Sequence, residues 1–249
     1  TFTSLGLPGG ANAGTVADIA DDGRVIGSAF FDPGPPTGPY SLGVVWAGGA
    51  PTMLPGPISG ASTLQSTNAE AISPNGVHIG GSAVFCQPNP ALPPPNNLSC
   101  PGVAARSTGG AWSSLLSAPL VNWSGSVIDI NDSGVAIGGQ STVFVPTEWG
   151  VFAGGSFTQL STSTPRVTPL RIFNDGTVIG VGPGPAPVRR GPGETAFTPI
   201  PCGSGIYDGN NAGDVLTLVG TKPAVWHGGV CHLLENVLHP NKRGEPLFV

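Results

Sequence analysis

A short alternation of apolar and polar positions returns five times along the chain. Each copy has two apolar or β-branched positions, a polar turn that contains Gly, and a second apolar pair before a small residue. The copies read ADIADDGRVIG (17–27), EAISPNGVHIG (70–80), IDINDSGVAIG (128–138), LRIFNDGTVIG (170–180) and YDGNNAGDVLT (207–217). Apolar alternation around an Asn, Asp and Gly turn is typical of a β-hairpin. Each copy therefore predicts two antiparallel strands.

A second hairpin follows within every repeat, with Gly-Gly or Gly-Pro-Gly at its turn. These segments read GVVWAGGAPTML (43–54), VAARSTGGAWSSL (103–115), EWGVFAGGSFTQL (148–160), PVRRGPGETAFTPI (187–200) and PAVWHGGVCHLL (223–234). Two hairpins per repeat give four strands, which is the size of one propeller blade. A four-stranded sheet this short does not bury both of its faces alone, so repeats of this kind stack.

The fold class predicted from this pattern is all-β, a five-bladed β-propeller of four-stranded antiparallel blades closed by terminal strands. We expect one domain over residues 1–249, with blades near 16–56, 69–116, 127–162, 169–200 and 206–238. Residues 1–10 are predicted to add a closing strand to the last blade. Alternatives for the surplus strand are a five-stranded last blade or a remnant sixth blade that uses EPLFV at 245–249.

The repeats resemble a known family. The pattern A-x-x-I-N-x-x-G-x-x-x-G followed by W-x-x-G-x-x-x-x-L resembles the bacterial extracellular HAF-type repeat, with VIDINDSGVAIGG (127–139) as the closest copy. VWAGGAPTMLPG and VWHGGVCHLL resemble its second half, and the namesake His-Ala-Phe triplet is absent. The resemblance implies a secreted, propeller-like protein and supplies no catalytic residues.

Composition narrows the choice of partners and compartment. The net charge is −5 and only 9% of residues are charged, with no basic stripe, which excludes nucleic acid as an expected partner. No apolar run is long enough to cross a bilayer. The chain begins at Thr1 without a signal-peptide pattern, which we interpret as a mature, processed product or a trimmed chain.

Four cysteines favour an oxidising compartment, so we expect a secreted, extracellular or periplasmic protein. Of the three possible connectivities, we prefer the sequential pairs Cys86–Cys100 and Cys202–Cys231, because each bridge then ties a local unit. Their spacings do not resemble those of a zinc site.

One position in each repeat differs in charge between the copies. It lies five residues before the turn Gly and is occupied by Asp18, Ala71, Asp129, Arg171 and Asp208, which we call the column. If these side chains converge, Asp18, Asp129 and Asp208 are candidate acids, bases or ligands of a cation such as Ca²⁺, and Arg171 steadies an anion. The alternative is that they hydrogen-bond neighbouring blades or trapped water.

Candidate ligand-binding residues lie mostly on the long Pro-rich loops. Exposed aromatic rings on stiff loops suit stacking on sugar rings or apolar polymers. The candidates are Phe31, Tyr40 and Trp123, joined by Glu70 and Tyr207 beside the column. The alternative is that Tyr40 and Trp123 cover blade edges.

Two function classes follow from these candidates. The first, which we prefer because no catalytic motif is complete, is a binding module for carbohydrate or another extracellular polymer through the Pro-rich loop face. The second is an extracellular hydrolase or lyase with an acidic site at the propeller axis. The expected partner is a glycan, a small molecule or a polymer, and we expect a monomer.

Overall fold

The computed structural model describes residues 4–34, 39–54, 66–84, 87–88, 98–99, 101–117, 123–142, 147–160, 166–184 and 186–237. Within them the chain forms five four-stranded antiparallel sheets. It divides into two compact units, Thr1–Gln159 and Leu160–Val249. The predicted all-β fold with five four-stranded blades is confirmed, whereas closure by terminal strands and a single domain stay predictions.

The first unit holds three blades. Their strands are β1 Ala13–Ile19, β2 Val25–Phe31, β3 Tyr40–Ala47, β4 Ala50–Met53, β5 Thr67–Ile72, β6 His78–Val84, β7 Gln87–Pro88, β8 Leu98–Ser99, β9 Gly102–Thr108, β10 Ala111–Ser114, β11 Trp123–Ile130, β12 Ala136–Thr142, β13 Glu148–Ala153 and β14 Ser156–Gln159. Blade 1 is β1-β2-β3-β4, blade 2 is β10-β9-β6-β5 and blade 3 is β11-β12-β13-β14. Strands β7 and β8 form a separate antiparallel pair inserted in blade 2.

The second unit holds two blades and a short helix. Its elements are β15 Thr168–Ile172, β16 Val178–Val181, β17 Pro187–Arg190, β18 Thr198–Pro199, β19 Ile206–Gly209, β20 Val215–Val219, β21 Lys222–His227, β22 Val230–Leu233 and α1 Leu234–Val237. Blade 4 is β15-β16-β17-β18 and blade 5 is β19-β20-β21-β22.

The repeated sequence phrase forms the same hairpin turn in each blade. In blade 3 the amide of Gly134 donates to the carbonyl of Asn131 at 2.9 Å, and the Asn131 side chain accepts from the amides of Ser133 and Val135. Gly134 has a φ of 74°, a conformation that favours glycine. The phrase is therefore scaffold, and its Asn, Asp and Gly residues are turn formers.

A β-bulge interrupts the first strand of every blade directly before the column residue. Opposite the bulge stands Gly27 in blade 1, where an added Cβ would collide with the carbonyl oxygen of Thr15. The equivalent residues are Gly81, Gly138, Gly180 and, in blade 5, the fully buried Thr217. In blade 5 the Thr217 hydroxyl donates to the carbonyl of Gly205 at 2.5 Å. The bulge thus explains why a small residue ends the phrase in blades 1, 3, 4 and 5, and why Gly81 directly follows the phrase in blade 2.

Neighbouring blades pack face against face around apolar side chains. Between blades 1 and 2, the buried Ile26, Leu54, Ala69, Ile72 and Trp112 form one cluster. Between blades 4 and 5, Phe173 and Ile179 contact the position of Gly209, which leaves room for them because it has no side chain. Between blades 4 and 5, Arg171 and Asp208 meet beside this packing.

Residues 4–10 form no strand in the structure. The Trp46 indole N–H donates to the carbonyl of Gly6 at 2.6 Å, and Leu5 and Ala11 pack against the cluster that contains Trp46. The segment therefore lies along blade 1, and its role as a closing strand for the last blade stays a prediction. Residues 245–249 lie outside the described part of the chain.

Candidate functional site

The column carboxylates hydrogen-bond backbone amides. One carboxylate oxygen of Asp18 accepts from the amide of Ile19 at 2.9 Å, and the other accepts from the amide of Ile72 in blade 2 at 3.0 Å. Asp129 is buried and accepts from the amide of Ile130 at 2.9 Å. Asp18 therefore links two blades, which is the alternative that the sequence left open for this position.

The structure brings Arg171 and Asp208 together. Arg171 Nε lies 2.8 Å from Asp208 Oδ1, an oxygen that also accepts from the amide of Gly209. Asp208 is exposed, so the pair joins blades 4 and 5 at a surface that water reaches. Exposed ion pairs of this kind contribute about 0–1 kcal/mol. Ala71, the blade 2 member of the column, is fully buried and has no polar side chain.

Glu70 occupies the bulge position beside the column in blade 2 and is half-buried. Its carboxyl group accepts from the Ser82 hydroxyl at 3.3 Å and from the amide of Val127 in blade 3. Burial raises the pKa of Glu70 to about 7, although these two hydrogen bonds lower it in part. Glu70 is thus partly protonated at neutral pH and links blade 2 to blade 3.

Ser82 continues this polar chain towards blade 1. The Asn68 amide nitrogen lies 3.4 Å from the Ser82 hydroxyl, and Asn68 Oδ1 accepts from the Ser41 hydroxyl at 2.8 Å. Polar groups of three blades are therefore connected through one hydrogen-bonded network.

Two of the predicted ligand-binding residues form an aromatic pair. The rings of Phe31 and Tyr40 are stacked, with centroids 5.0 Å apart and planes 10° apart. Phe31 is buried and Tyr40 is half-buried, so Phe31 supports one face of the tyrosine ring. The ring lies where β2 ends and β3 begins, at one end of blade 1.

The remaining aromatic candidates are placed differently. Tyr207 is the bulge residue of blade 5, and 56% of its surface is exposed. Trp123 begins β11, but its side chain lies outside the described residues. The Pro-rich stretches 35–38, 55–65, 89–97 and 118–122, on which the predicted binding face depends, also lie outside them.

The cysteine prediction is confirmed for one pair. Cys202 and Cys231 form a disulfide that joins the segment before β19 to β22 in blade 5. Cys86 and Cys100 lie outside the described residues, so their pairing stays a prediction. Among the residues that the structure describes, no three His, Cys, Asp or Glu side chains are grouped so as to hold a metal ion. Nor does any described helix have the length and apolar character to cross a membrane.

A pocket of about 130 Å³ lies between blades 4 and 5, where the first hairpin turns of both blades meet. Its walls include the apolar side chains of Phe173, Ile179 and Trp226 and the charged side chains of Asp175 and Arg189. No sequence motif indicated this site. One sequence signal was present, because Arg189 in blade 4 and Arg106 in blade 2 occupy equivalent strand positions. Arg189 pairs with Ile179, which pairs with the column residue Arg171. Arg106 pairs with Gly80, which pairs with the column residue Ala71.

A second arrangement that no motif indicated is the pair Asp214 and His227 in blade 5. His227 Nδ1 lies 2.5 Å from Asp214 Oδ1, and the Asn210 side chain donates to the other oxygen at 2.9 Å. The hydrogen bonds from Asn210 and His227 lower the pKa of Asp214. His227 is exposed, so the pair is a contact within blade 5 at its surface.

Comparisons with known proteins give distant structural likenesses only. No family model and no curated protein matches the chain. TolB from Acinetobacter baumannii is similar with a TM-score of 0.49 and 14% identity, over 85% of this chain and 52% of TolB. A Mycobacterium tuberculosis puromycin-hydrolyzing peptidase gives 0.45 and 13%, over 78% of this chain and 30% of the peptidase.

A puromycin hydrolase mutant complexed with PGG gives a TM-score of 0.48 and 14% identity, over 92% of this chain and 38% of the hydrolase. The chain therefore spans about half or less of each of these proteins. At such low identities and TM-scores, their activities say nothing about the chemistry of this chain.

Proposed function

We propose that this protein is a binding module for carbohydrate or another extracellular polymer, and that it works outside the cytoplasm. The observation that carries the proposal is that column side chains form hydrogen bonds with groups of the protein itself. Asp18 accepts backbone amides of two blades, and Asp208 accepts both an amide and Arg171. Such groups hold blades together, and an acid–base mechanism needs carboxyl groups free to exchange protons with a substrate.

The stacked pair of Phe31 and Tyr40 supports a binding role. A tyrosine ring held against a buried phenylalanine loses little conformational freedom when a ligand stacks on its other face. The exposed ring of Tyr207 offers a second contact surface in the other unit. In this proposal Glu70 and Trp123 are further ligand contacts, as the sequence suggested.

The location rests on the disulfide between Cys202 and Cys231. Structural disulfides persist in secreted and periplasmic proteins and are rare in a reducing cytosol. An extracellular or periplasmic site is also where polymers of the cell surface are available for binding.

Retention on immobilised polysaccharides tests the proposal. A panel of neutral and acidic polymers is used to find one that retains the wild-type chain. Tyr40→Ala is expected to reduce retention at least tenfold, because the stacking ring is lost, and Tyr40→Phe to keep most of it. Phe30→Ala removes a neighbouring exposed ring on the opposite face of β2 and serves as the matched control.

If no polymer retains the wild type, or if Tyr40→Ala and Phe30→Ala behave alike, the proposed role of the aromatic pair is wrong.

One observation favours the enzymatic alternative, an extracellular hydrolase or lyase. Glu70 has a pKa near 7, which is the range that suits a general acid or base at neutral pH. In that case Glu70 would act with Asp18 or Asp129 of the same unit. Turnover of a retained polymer separates the two functions.

A further inference from the structure

The position of Arg189, at the interface of blades 4 and 5, has an equivalent at the interface of blades 2 and 3. There, Arg106 reaches across to blade 3, and its Nη1 donates to the carbonyl of Gly134 at 3.0 Å. Gly134 is the last residue of the first hairpin turn of blade 3, as Gly213 is in blade 5. At this interface an arginine of one blade therefore hydrogen-bonds the first hairpin turn of the next blade.

Arg189 has the position of Arg106 but not its contact. Its guanidinium lies 5.9 Å from the centroid of the Trp226 ring and 3.7 Å from Glu194 Oε1. Glu194 is itself anchored, because its other oxygen accepts from the amide of Gly191 at 2.7 Å. Within the described part of the chain, no hydrogen bond joins Arg189 to Gly213, although both line the pocket. The pocket between blades 4 and 5 therefore lies at the place where, between blades 2 and 3, Arg106 contacts the hairpin turn.

The pocket combines charges of both signs with an apolar wall. Arg189 supplies a planar guanidinium, which suits a carboxylate through two parallel hydrogen bonds. Asp175 supplies a carboxylate whose oxygens accept from the amide and hydroxyl of Thr177, which fixes its orientation. Phe173 and Ile179 supply apolar surface. A ligand that carries both a carboxylate and an ammonium group would complement Arg189 and Asp175 together.

We propose that this pocket binds a small zwitterionic amino acid. The carboxylate of the ligand pairs with Arg189, its ammonium group with Asp175, and a short aliphatic side chain packs on Phe173 and Ile179. A volume of about 130 Å³ suits a ligand of this size and is below the range of drug-sized pockets. The site is independent of the proposed polymer binding, which uses the aromatic pair of blade 1.

Titration with L-valine tests this proposal, with N-acetylvaline and valinamide as analogues that each lack one charge. Binding is followed by calorimetry and by the indole N–H signal of Trp226 in NMR spectra, which localises the ligand. Valine is expected to bind and to shift this signal, and each analogue to bind at least tenfold more weakly. Arg189→Leu should remove binding, and Arg189→Lys, which keeps the charge, should retain part of it.

Lys222→Leu removes an exposed cation from the same unit and is expected to bind valine as the wild type does. Thermal melting of each variant shows that it is folded. The proposal is overturned if valine does not bind, if either analogue binds as tightly as valine, or if Arg189→Leu leaves the affinity unchanged. If the wild type retains the polymer but does not bind valine, this site alone is rejected.

Discussion

At the scale of single residues, Glu70 has the chemistry that is least expected of a scaffold. It is a half-buried carboxyl group at a β-bulge, and its two hydrogen-bond donors, Ser82 and the Val127 amide, belong to two different blades. Burial disfavours its charged form more than these donors favour it, so its pKa rises. Its protonation state therefore affects the free energy of unfolding.

Stability should fall between pH 4.5 and about 7 because of Glu70. In this range the folded state holds a proton that the unfolded state, with the ordinary value of 4.5, has released. The free energy of unfolding therefore decreases as pH rises and levels off above the folded pKa. The full shift corresponds to about 3 kcal/mol.

Glu70→Gln is expected to remove this part of the pH dependence, so that the variant gains stability relative to wild type as pH rises. Urea unfolding at several pH values measures it. A wild type and variant with parallel pH profiles would contradict the raised pKa.

At the scale of elements, adjacent blades are joined by side chains that accept or donate across the interface. Asp18 accepts the amide of Ile72, Arg106 donates to the carbonyl of Gly134, and the Thr67 hydroxyl accepts the amide of Gly43. Each bond joins a side chain of one blade to a main-chain group of its neighbour. The blades are therefore connected by polar contacts as well as by apolar packing.

Asp18→Ala is expected to lower the free energy of unfolding by about 1–3 kcal/mol, since two amides lose a charged acceptor. Asp21→Ala, three residues along at the exposed turn, is the matched control and should change it by less than about 0.5 kcal/mol. Chemical denaturation of both variants measures the difference. Equal effects of the two substitutions would show that the column position has no special structural role.

The blade pattern was predictable because alternation and turn chemistry are local. The hairpin of blade 2 shows the limit of prediction from the local pattern. Its turn after Gly76 is one residue longer than in the other blades. The small residue opposite the bulge is therefore Gly81, one position later than the aligned phrase predicts. The pocket at Arg189 was not predictable, since its open form depends on Glu194 and Trp226, which are remote in sequence from its other wall. Residue type alone does not reveal which arginine hydrogen-bonds the turn of a neighbouring blade.

At the scale of the whole molecule, five copies of one blade supply the scaffold, and the differences between copies carry the candidate chemistry. Blade 1 has the aromatic pair, blade 2 has Glu70, and blades 4 and 5 enclose the pocket. Blade 5 is also held by the disulfide between Cys202 and Cys231.

Loss of this disulfide is expected to destabilise the second unit. The bridge spans 29 residues, and closing a loop of that length contributes about 3–4 kcal/mol in the chain-entropy model. The double variant Cys202→Ser/Cys231→Ser should therefore melt at a lower temperature than wild type under oxidising conditions. Any further effect of reductant on this variant reports on Cys86 and Cys100, and an unchanged melting temperature would contradict the stabilising role of the Cys202–Cys231 bridge.

The central proposal is that the repeat frame, including the column, is scaffold and that the protein binds a polymer without cleaving it. The most direct test incubates wild-type protein and Asp129→Asn with the polysaccharide that retains the wild type, and counts new reducing ends and unsaturated ends. Reducing ends report hydrolysis, and unsaturated ends report a lyase reaction. We predict that the polymer is retained and that neither kind of end increases. New ends formed by the wild type and absent with Asp129→Asn would contradict the claim and establish an acidic catalytic site.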